Sequence, residues 1–492
     1  MCKIKIKFVS FLILLCYNRK KGGVKMVLEN IILCILITSF ASCYAWGMRG
    51  ALIGGEKGAM LPGAFIGLFL AWFAGGAIRE NWFVTAAAGL MGMTFGGTET
   101  YGETIGFVLH RGREDYHPVR GYTGLALKGA LWFSVCGGFI GISMSRGVYT
   151  AKDIIVLCIL IPVLQQAGYR IFNCPYNKEK KKYPRLYFSK TRREEWGGNV
   201  LLLAALVITS VVKSNYFTTM LIVGGFAGGG IGWLVAMKAY TLAVFPFRNG
   251  KYLFGKLYRK NLIDGWKLME FILGAVGGAG IAAAFCLGYG YVSGYAAVPV
   301  QDVSIPENAL FYGENFEKAS VSICALCAVG IVIFNAFLFI CESKGKKLNG
   351  FVCDSVERPL YNVIPMVPVL LGSAQAGRII TVFMPVFVCA LKIGFDRLGN
   401  SRIAVPWQVG GVLVSACVFA AAAGGVSVTP LTVIIIGTVL YIVAEVLWSM
   451  WEIKNKGKDI KFLFTSTSVA TVYPCFAVQA AALIALSAKI FA

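Results

Sequence analysis

Apolar residues recur along most of the chain in runs of about 20, and short polar loops separate the runs. A helix needs about 20 predominantly apolar residues to span a bilayer. The pattern predicts fourteen such segments, at residues 27–46, 59–78, 82–109, 122–145, 153–172, 197–213, 216–247, 268–292, 319–341, 361–377, 379–395, 404–423, 430–451 and 464–490. We therefore predict an all-α fold, a polytopic transmembrane helix bundle with about thirteen crossings plus one re-entrant or broken helix.

The first 25 residues differ from the rest of the chain because their apolar stretch, at 8–17, is too short to span. Basic residues flank this stretch on both sides. It is either an interfacial helix or the product of an early start codon, since Met26 opens a more natural first helix. The predicted organisation is thus a basic cytoplasmic segment at 1–25, followed by a single integral membrane domain at 26–492.

Composition supports the membrane assignment, because 57% of the residues are hydrophobic and only 14% are charged. Soluble domains have about 25% charged residues, and no soluble fold of this length could bury so much apolar surface. Glycine clusters at 224–230 and 274–278 are expected to let helix backbones approach closely. The fifteen cysteines are scattered, and Cys324 and Cys327 form a C-x-x-C without a second pair, so neither a metal nor another cofactor is expected.

The net charge of +23 resides largely in loops, which is typical of membrane orientation rather than of nucleic-acid binding. The basic loops around 178–193, 248–260, 344–347 and 454–461 alternate in phase with one another, whereas the acidic loop 293–318 falls on the other side. Loops rich in Lys and Arg stay in the cytoplasm. The expected location is the cell membrane, with a cytoplasmic N-terminus, an outer C-terminus and the lipid bilayer as partner.

The N-terminal third conflicts with this alternation. The basic N-terminus and the loop with Arg111, Arg113 and Arg120 should both be cytoplasmic, yet three predicted helices separate them. Either one helix is re-entrant, or the glycine-rich stretch 82–109 is broken into two pieces; a miscounted helix is the remaining explanation. Broken helices occur at membrane depth where they line a cavity or are buried in protein, and in transporters they form substrate sites.

Two polar passages flank these helices and contain the candidate substrate- or proton-binding residues. They are Trp46, Arg49, Glu56 and Lys57 in the first passage, and Glu99, Tyr101, Glu103 and His110 in the second. On one helix, Glu99, Glu103 and His110 would form a single stripe with glycines between them. Two carboxylates one turn apart in a low dielectric cannot both ionise easily, which suits proton coupling. Trp46 and Tyr101 could stack on a sugar ring.

Two other interpretations of the stripe remain open. Glu99 and Glu103 could simply pair with Arg49 and Lys57 across a helix interface, because buried charges need partners. A Glu/His metal site is the third interpretation, although no second ligand cluster supports it. Elsewhere, Glu270 stands near the start of its predicted helix and is expected at the membrane interface.

The pattern favours a membrane transporter of a small polar solute, with proton coupling through the Glu/Glu/His stripe. The helices are many, the loops leave no room for a soluble catalytic domain, and the charges cluster at a predicted helix break. The alternative is a membrane-embedded transferase acting on lipid-linked sugars or acyl chains, with His110 and a neighbouring glutamate as acid or base. A channel or a scaffold ranks third.

Overall fold

A computed structural model describes most of the chain. The described residues are 26–52, 58–97, 101–145, 147–174, 186–189, 194–246, 265–296, 313–346, 350–392, 404–426, 429–439 and 478–486, with a few isolated positions between them. They form helices joined by turns, and no strand occurs among them. The predicted all-α class is confirmed for this part of the chain.

The helices are numbered in chain order. They are α1 Leu28–Leu52, α2 Met60–Ala74, α3 Trp82–Gly97, α4 Gly102–Leu109, α5 Pro118–Met144, α6 Ala151–Gly168, α7 Trp196–Val212, α8 Tyr216–Val244, α9 Gly265–Ala296, α10 Gly313–Ser343, α11 Gly350–Arg358, α12 Ile364–Leu370, α13 Ala374–Lys392, α14 Ala404–Ala423 and α15 Pro430–Val439. Within the described residues, six are long and apolar enough to cross a membrane: α1, α5, α6 with its π-helical extension, α8, α9 and α10. The count of about thirteen crossings stays a prediction.

Six helices close into a ring in the order α1, α2, α3, α5, α8, α9 and back to α1. Neighbours in the ring run antiparallel. Gly129 of α5 contacts Gly229 of α8, for example, and Gly137, two turns further along α5, contacts Leu221, two turns closer to the start of α8. Aromatic side chains fill the centre. Trp46 of α1 stacks on Phe133 of α5 with 5.2 Å between ring centroids, although these two helices are not neighbours in the ring.

Glycines set the spacing between ring helices, as the two clusters in the sequence predict. A Cβ on Gly229 would lie 2.0 Å from the Gly129 carbonyl oxygen, and one on Gly228 would lie 2.9 Å from the Gly280 Cα. On the opposite side of α9, a Cβ on Gly274 would lie 2.6 Å from the Ser42 carbonyl oxygen of α1. The backbones are therefore in direct contact, which is how small residues hold membrane helices together.

The ends of the ring can be matched to the loops. Arg111 lies over the Phe245 ring at 4.0 Å, and the Arg120 side chain donates to the Tyr187 carbonyl, so three predicted cytoplasmic loops meet at one end. The start of α1 lies at the other end, where Cys286 Sγ contacts the Ile31 carbonyl. Among the described residues, three helical segments run between the two ends: α1, α2 and α3–α4. The side on which residues 1–25 lie is outside the described part of the chain.

The remaining helices pack around the ring. α6 and α7 pair, and α7 lies against α5, whereas α13 packs on α3 and α14, and α10 packs on α13. The outward face of α10 is apolar and open, with Leu326 72% and Ile333 63% exposed. Exposed apolar surface on this scale is typical of a protein whose solvent is lipid. These helices fit a membrane protein.

Candidate functional site

The stretch 82–109 consists of two helices, α3 and α4, as one of the three sequence-based alternatives predicted. Both pieces run antiparallel to α5: the Trp132 ring lies where a Cβ of Gly96 would be, and Val108 lies against Gly121. The stretch is therefore a broken helix that continues in one direction. Gly97 ends α3, Tyr101 precedes α4, and residues 98–100 are outside the described part.

An aromatic cluster surrounds Tyr101 inside the ring. Its members are Trp46 of α1, Tyr101, Trp132 of α5, Trp233 of α8 and Trp266 of α9. The Tyr101 ring centroid is 5.1 Å from that of Trp233, 5.8 Å from that of Trp266 and 6.3 Å from that of Trp132. Trp132 also meets Trp46 at 4.9 Å. The cluster thus joins the break to four ring helices.

Two members of the cluster, Trp132 and Trp233, lie deep along their helices, whereas Trp266 is the second residue of α9. Trp132 is 14 residues into α5, and Trp233 is 11 residues from the end of α8. At 1.5 Å per residue these offsets correspond to about 15–20 Å, half or more of the thickness of a bilayer core. Trp132 is held there because its indole nitrogen donates to the Met93 carbonyl of α3 at 2.6 Å.

A buried acid–base pair contacts the aromatic cluster on α9. Glu270 accepts from Lys267 Nζ at 2.8 Å and from Trp266 Nε1 at 3.0 Å, while the Tyr101 hydroxyl lies 3.4 Å from it. Lys267 Nζ also donates to the Gly47 carbonyl of α1 at 3.0 Å. Glu270, which was expected near the membrane interface, is the sixth residue of α9, and its side chain is only 1% exposed. Closure of the ring brings α1 and Tyr101 over it.

A second buried pair joins Lys128 of α5 to Glu194, on the other side of α4. The two side chains are 1% and 0% exposed, with 2.8 Å between Nζ and Oε1. Lys128 also donates to the Thr104 hydroxyl of α4 at 2.9 Å. The next residue, Glu195, binds Arg358 of α11 at 2.6 Å. Glu194 and Glu195 therefore connect the ring to an outer helix.

All donors to Glu194 are close. Besides Lys128, Oε1 accepts from the Ser189 hydroxyl at 2.7 Å. Oε2 accepts from the Phe188 backbone N–H at 2.8 Å and from Trp196 Nε1 at 3.1 Å. Such full hydrogen bonding is what a buried charge requires. The segment 186–189 is thereby fixed beneath α4.

The sequence-based candidates fall into three groups. Trp46 and Tyr101 are brought together in the aromatic cluster. Glu103 is half-buried on α4, and His110, at the end of α4 with its side chain 38% exposed, is bound to Asp115 at 2.9 Å. Glu56, Lys57 and Glu99 lie outside the described residues, as does the side chain of Arg49. The predicted Glu/Glu/His stripe is tested only in part, because Glu99 is outside the described residues. On α4, the His110 ring lies against Gly106, as one face of a helix requires.

Three buried ionisable residues were missed, Lys128, Glu194 and Lys267, and a fourth, Glu270, was named but not counted as a site residue. Lys128 had a clear signal, because it interrupts the apolar run 122–145 and ionisable residues at membrane depth are functional candidates. Glu194 follows a basic loop and has no such signal. The described residues contain no group of three or more His, Cys, Asp or Glu side chains that could hold a metal ion.

Comparison with known proteins assigns no family to the chain. No protein-family model matches the chain, and no curated protein matches it. The functional argument therefore rests on the two buried pairs, the broken helix and the aromatic cluster.

Proposed function

We propose that the chain is a membrane carrier of a small polar solute, and that the solute binds where the broken helix meets Glu270. One observation supports this most strongly: Tyr101, at the break, reaches across the ring to a carboxylate on α9 that is 1% exposed. Buried ionisable groups beside an interrupted helix are the arrangement from which transporters build substrate sites.

The aromatic cluster supports the same proposal. Ligand sites are mostly apolar and aromatic, with a few polar groups that fix orientation. Aromatic side chains fill the ring centre in the described conformation. We therefore infer that this conformation is closed to the solute. Movement of α4 relative to α5 would open the centre, and alternating access needs two such states.

Proton coupling is the second part of the proposal. Glu103 lies on α4, half-buried, two residues beyond Tyr101. A carboxylate in that position could exchange its proton as α4 moves. We propose Glu99 and Glu103 as the coupling residues, in keeping with the sequence pattern, and the cytoplasmic side as the end where the basic loops meet.

The test is uptake by the full chain in proteoliposomes that contain a pH indicator. Sugars, polyols, amino acids, organic acids and amines are offered in turn to wild type, Glu270→Gln, Glu103→Gln and the control Glu314→Gln. Glu314 pairs with Lys318 at the surface, where its side chain is 81% exposed. We expect saturable uptake that falls at least tenfold in Glu270→Gln and is unchanged in Glu314→Gln.

Two results would contradict the proposal. One is the absence of uptake for every solute class by folded wild-type protein. The other is uptake by Glu270→Gln at the wild-type rate. Either would direct attention to the transferase alternative. Proton movement that persists in Glu103→Gln would remove only the coupling role of that residue.

A further inference from the structure

The site beside Glu270 has a chemical character that narrows the solute class, and this inference rests on the proposed function. We propose that the solute is a neutral polyhydroxylated ring, a monosaccharide or a cyclic polyol. It would lie against Tyr101, Trp233 and Trp266, with hydroxyl groups directed to Glu270 and to the Trp233 indole N–H.

Charge balance is the first argument. Among the described residues, the acid and the base that contact the cluster are Glu270 and Lys267, 2.8 Å apart. They already neutralise each other. A solute with net charge would add a charge that this pair does not compensate, and unpaired charges are expensive in a low-dielectric interior. A neutral solute adds none.

Hydrogen-bonding capacity is the second argument. Trp233 is 1% exposed, and its indole N–H has no acceptor among the described residues. A buried donor of this kind calls for an acceptor, from a ligand or from water. Glu270, in contrast, can only accept. A hydroxyl group both donates and accepts, whereas an ammonium only donates and a carboxylate only accepts. A hydroxyl group therefore serves both Trp233 and Glu270, as an amide group or a zwitterion also would, and the aromatic faces are what favour a hydroxylated ring.

The aromatic rings supply the third argument. Tyr101 and Trp266 are stacked, with 5.8 Å between centroids and an interplanar angle of 27°, and Trp233 adjoins them. The face of an aromatic ring is electronegative and apolar. The C–H groups on one side of a sugar or polyol ring are apolar and slightly positive, so they pack well on such a face, while the hydroxyl groups stay at the edge.

The test is direct binding to the purified full chain in detergent, by scintillation proximity. Tritiated glucose, galactose and myo-inositol are compared with charged relatives of the same size, glucosamine and glucuronate. The variants are Trp233→Phe, which keeps a ring but removes the N–H, and Trp266→Phe, which removes a donor to Glu270. Trp72→Phe is the control, because Trp72 packs with Arg79 near the far end of α2. Size-exclusion profiles verify folding.

We expect at least one neutral ring to bind saturably, with affinity about tenfold weaker in Trp233→Phe and unchanged in Trp72→Phe. Tighter binding of glucosamine or glucuronate than of every neutral ring would overturn the solute class. Neutral-ring binding that is insensitive to both Trp233→Phe and Trp266→Phe would overturn the placement. Glu270-dependent uptake of an amine or an acid would support the carrier proposal and contradict the proposed solute class. Failure to take up any solute removes the carrier itself.

Discussion

The two buried lysine–glutamate pairs lie on either side of α4 and differ in how completely their carboxylates are bound. Glu194 accepts four hydrogen bonds, two on each oxygen, all at 3.1 Å or less. Glu270 has two close donors, Lys267 and Trp266, and a Tyr101 hydroxyl at 3.4 Å. A backbone N–H and a serine hydroxyl complete the hydrogen bonds of the first carboxylate, Glu194, whereas aromatic rings border the second, Glu270.

We propose that this difference separates a structural charge, on Glu194, from a functional one, on Glu270. A carboxylate that already has its full set of donors gains nothing from a ligand, and disturbing it leaves a buried charge unpaired. A carboxylate with remaining acceptor capacity, beside aromatic faces and an indole N–H without an acceptor in the described residues, can bind one. Burial alone does not distinguish the two, because both side chains are at most 1% exposed.

The largest expected effect is loss of folded protein in Lys128→Met. The substitution leaves Glu194 charged and without its cation in a site that is 0% exposed. Removal of one partner of a buried pair costs about 3–5 kcal/mol. The matched variant Lys267→Met should cost less, about 1–3 kcal/mol, because the Lys267 side chain is 10% exposed. Unfolding in mixed detergent and SDS micelles measures both.

A double variant tests whether the charge is the cause. Lys128→Met with Glu194→Gln removes both charges, and it should recover much of the stability lost in Lys128→Met alone. Equal destabilisation by Lys128→Met and Lys267→Met would erase the distinction between the two pairs. The exposed pair provides a reference, since Lys318→Met should leave unfolding unchanged.

Most of the helices were predictable because they are apolar runs with polar ends. The segment 122–145 became Pro118–Met144, and 268–292 became Gly265–Ala296. The predicted segments 361–377 and 379–395 were divided at the wrong place, because α12 ends at Leu370 and α13 begins at Ala374. The broken helix was foreseeable as one of three alternatives, from the alternation of loop charges and the glycines within 82–109. These features are local, so composition along the chain contains them.

The burial of the pairs was not predictable because residues distant in sequence enclose them. Lys128 and Glu194 are 66 residues apart. Lys267 and Glu270 are only three residues apart, but Tyr101, which covers Glu270, is 169 residues away from it. Counting loop charges treats Glu194 as solvated, although the turn at Phe188 and Ser189 buries it. The burial of Glu270 depends on ring closure, which places Tyr101 and α1 over it. Helix packing, which depends on glycine contacts between non-consecutive helices, decides both.

A smaller effect is expected from Gly96→Ala, which should disturb the site of Glu270 and spare that of Glu194. A Cβ there would lie 1.8 Å from Trp132 Cδ1, so the indole must move and its bond to the Met93 carbonyl must lengthen or break. Overpacking of this kind costs about 1–3 kcal/mol. Solute uptake should fall several-fold.

Gly230→Ala is the matched control for this substitution. The nearest atom to its added Cβ is the Ala126 carbonyl oxygen at 3.4 Å, an ordinary contact. We expect wild-type uptake and stability. If Gly96→Ala behaves like Gly230→Ala, the aromatic cluster is not rigid, and the position of Trp132 does not matter to the site.

The smallest effects compare single donors to the two carboxylates. Ser189→Ala removes a 2.7 Å bond to Glu194, and Tyr101→Phe removes the 3.4 Å contact with Glu270. Hydrogen bonds to charged groups contribute about 1.5–3 kcal/mol, so Ser189→Ala should lower the free energy of unfolding by about that amount. Tyr101→Phe should change it by less than about 0.5 kcal/mol, since hydrogen bonds weaken at such distances.

Uptake should respond in the opposite order, with Tyr101→Phe impaired and Ser189→Ala close to wild type. If stability and uptake follow the same order in the two variants, Glu194 and Glu270 belong to one structural network, and the assignment of the solute to Glu270 fails.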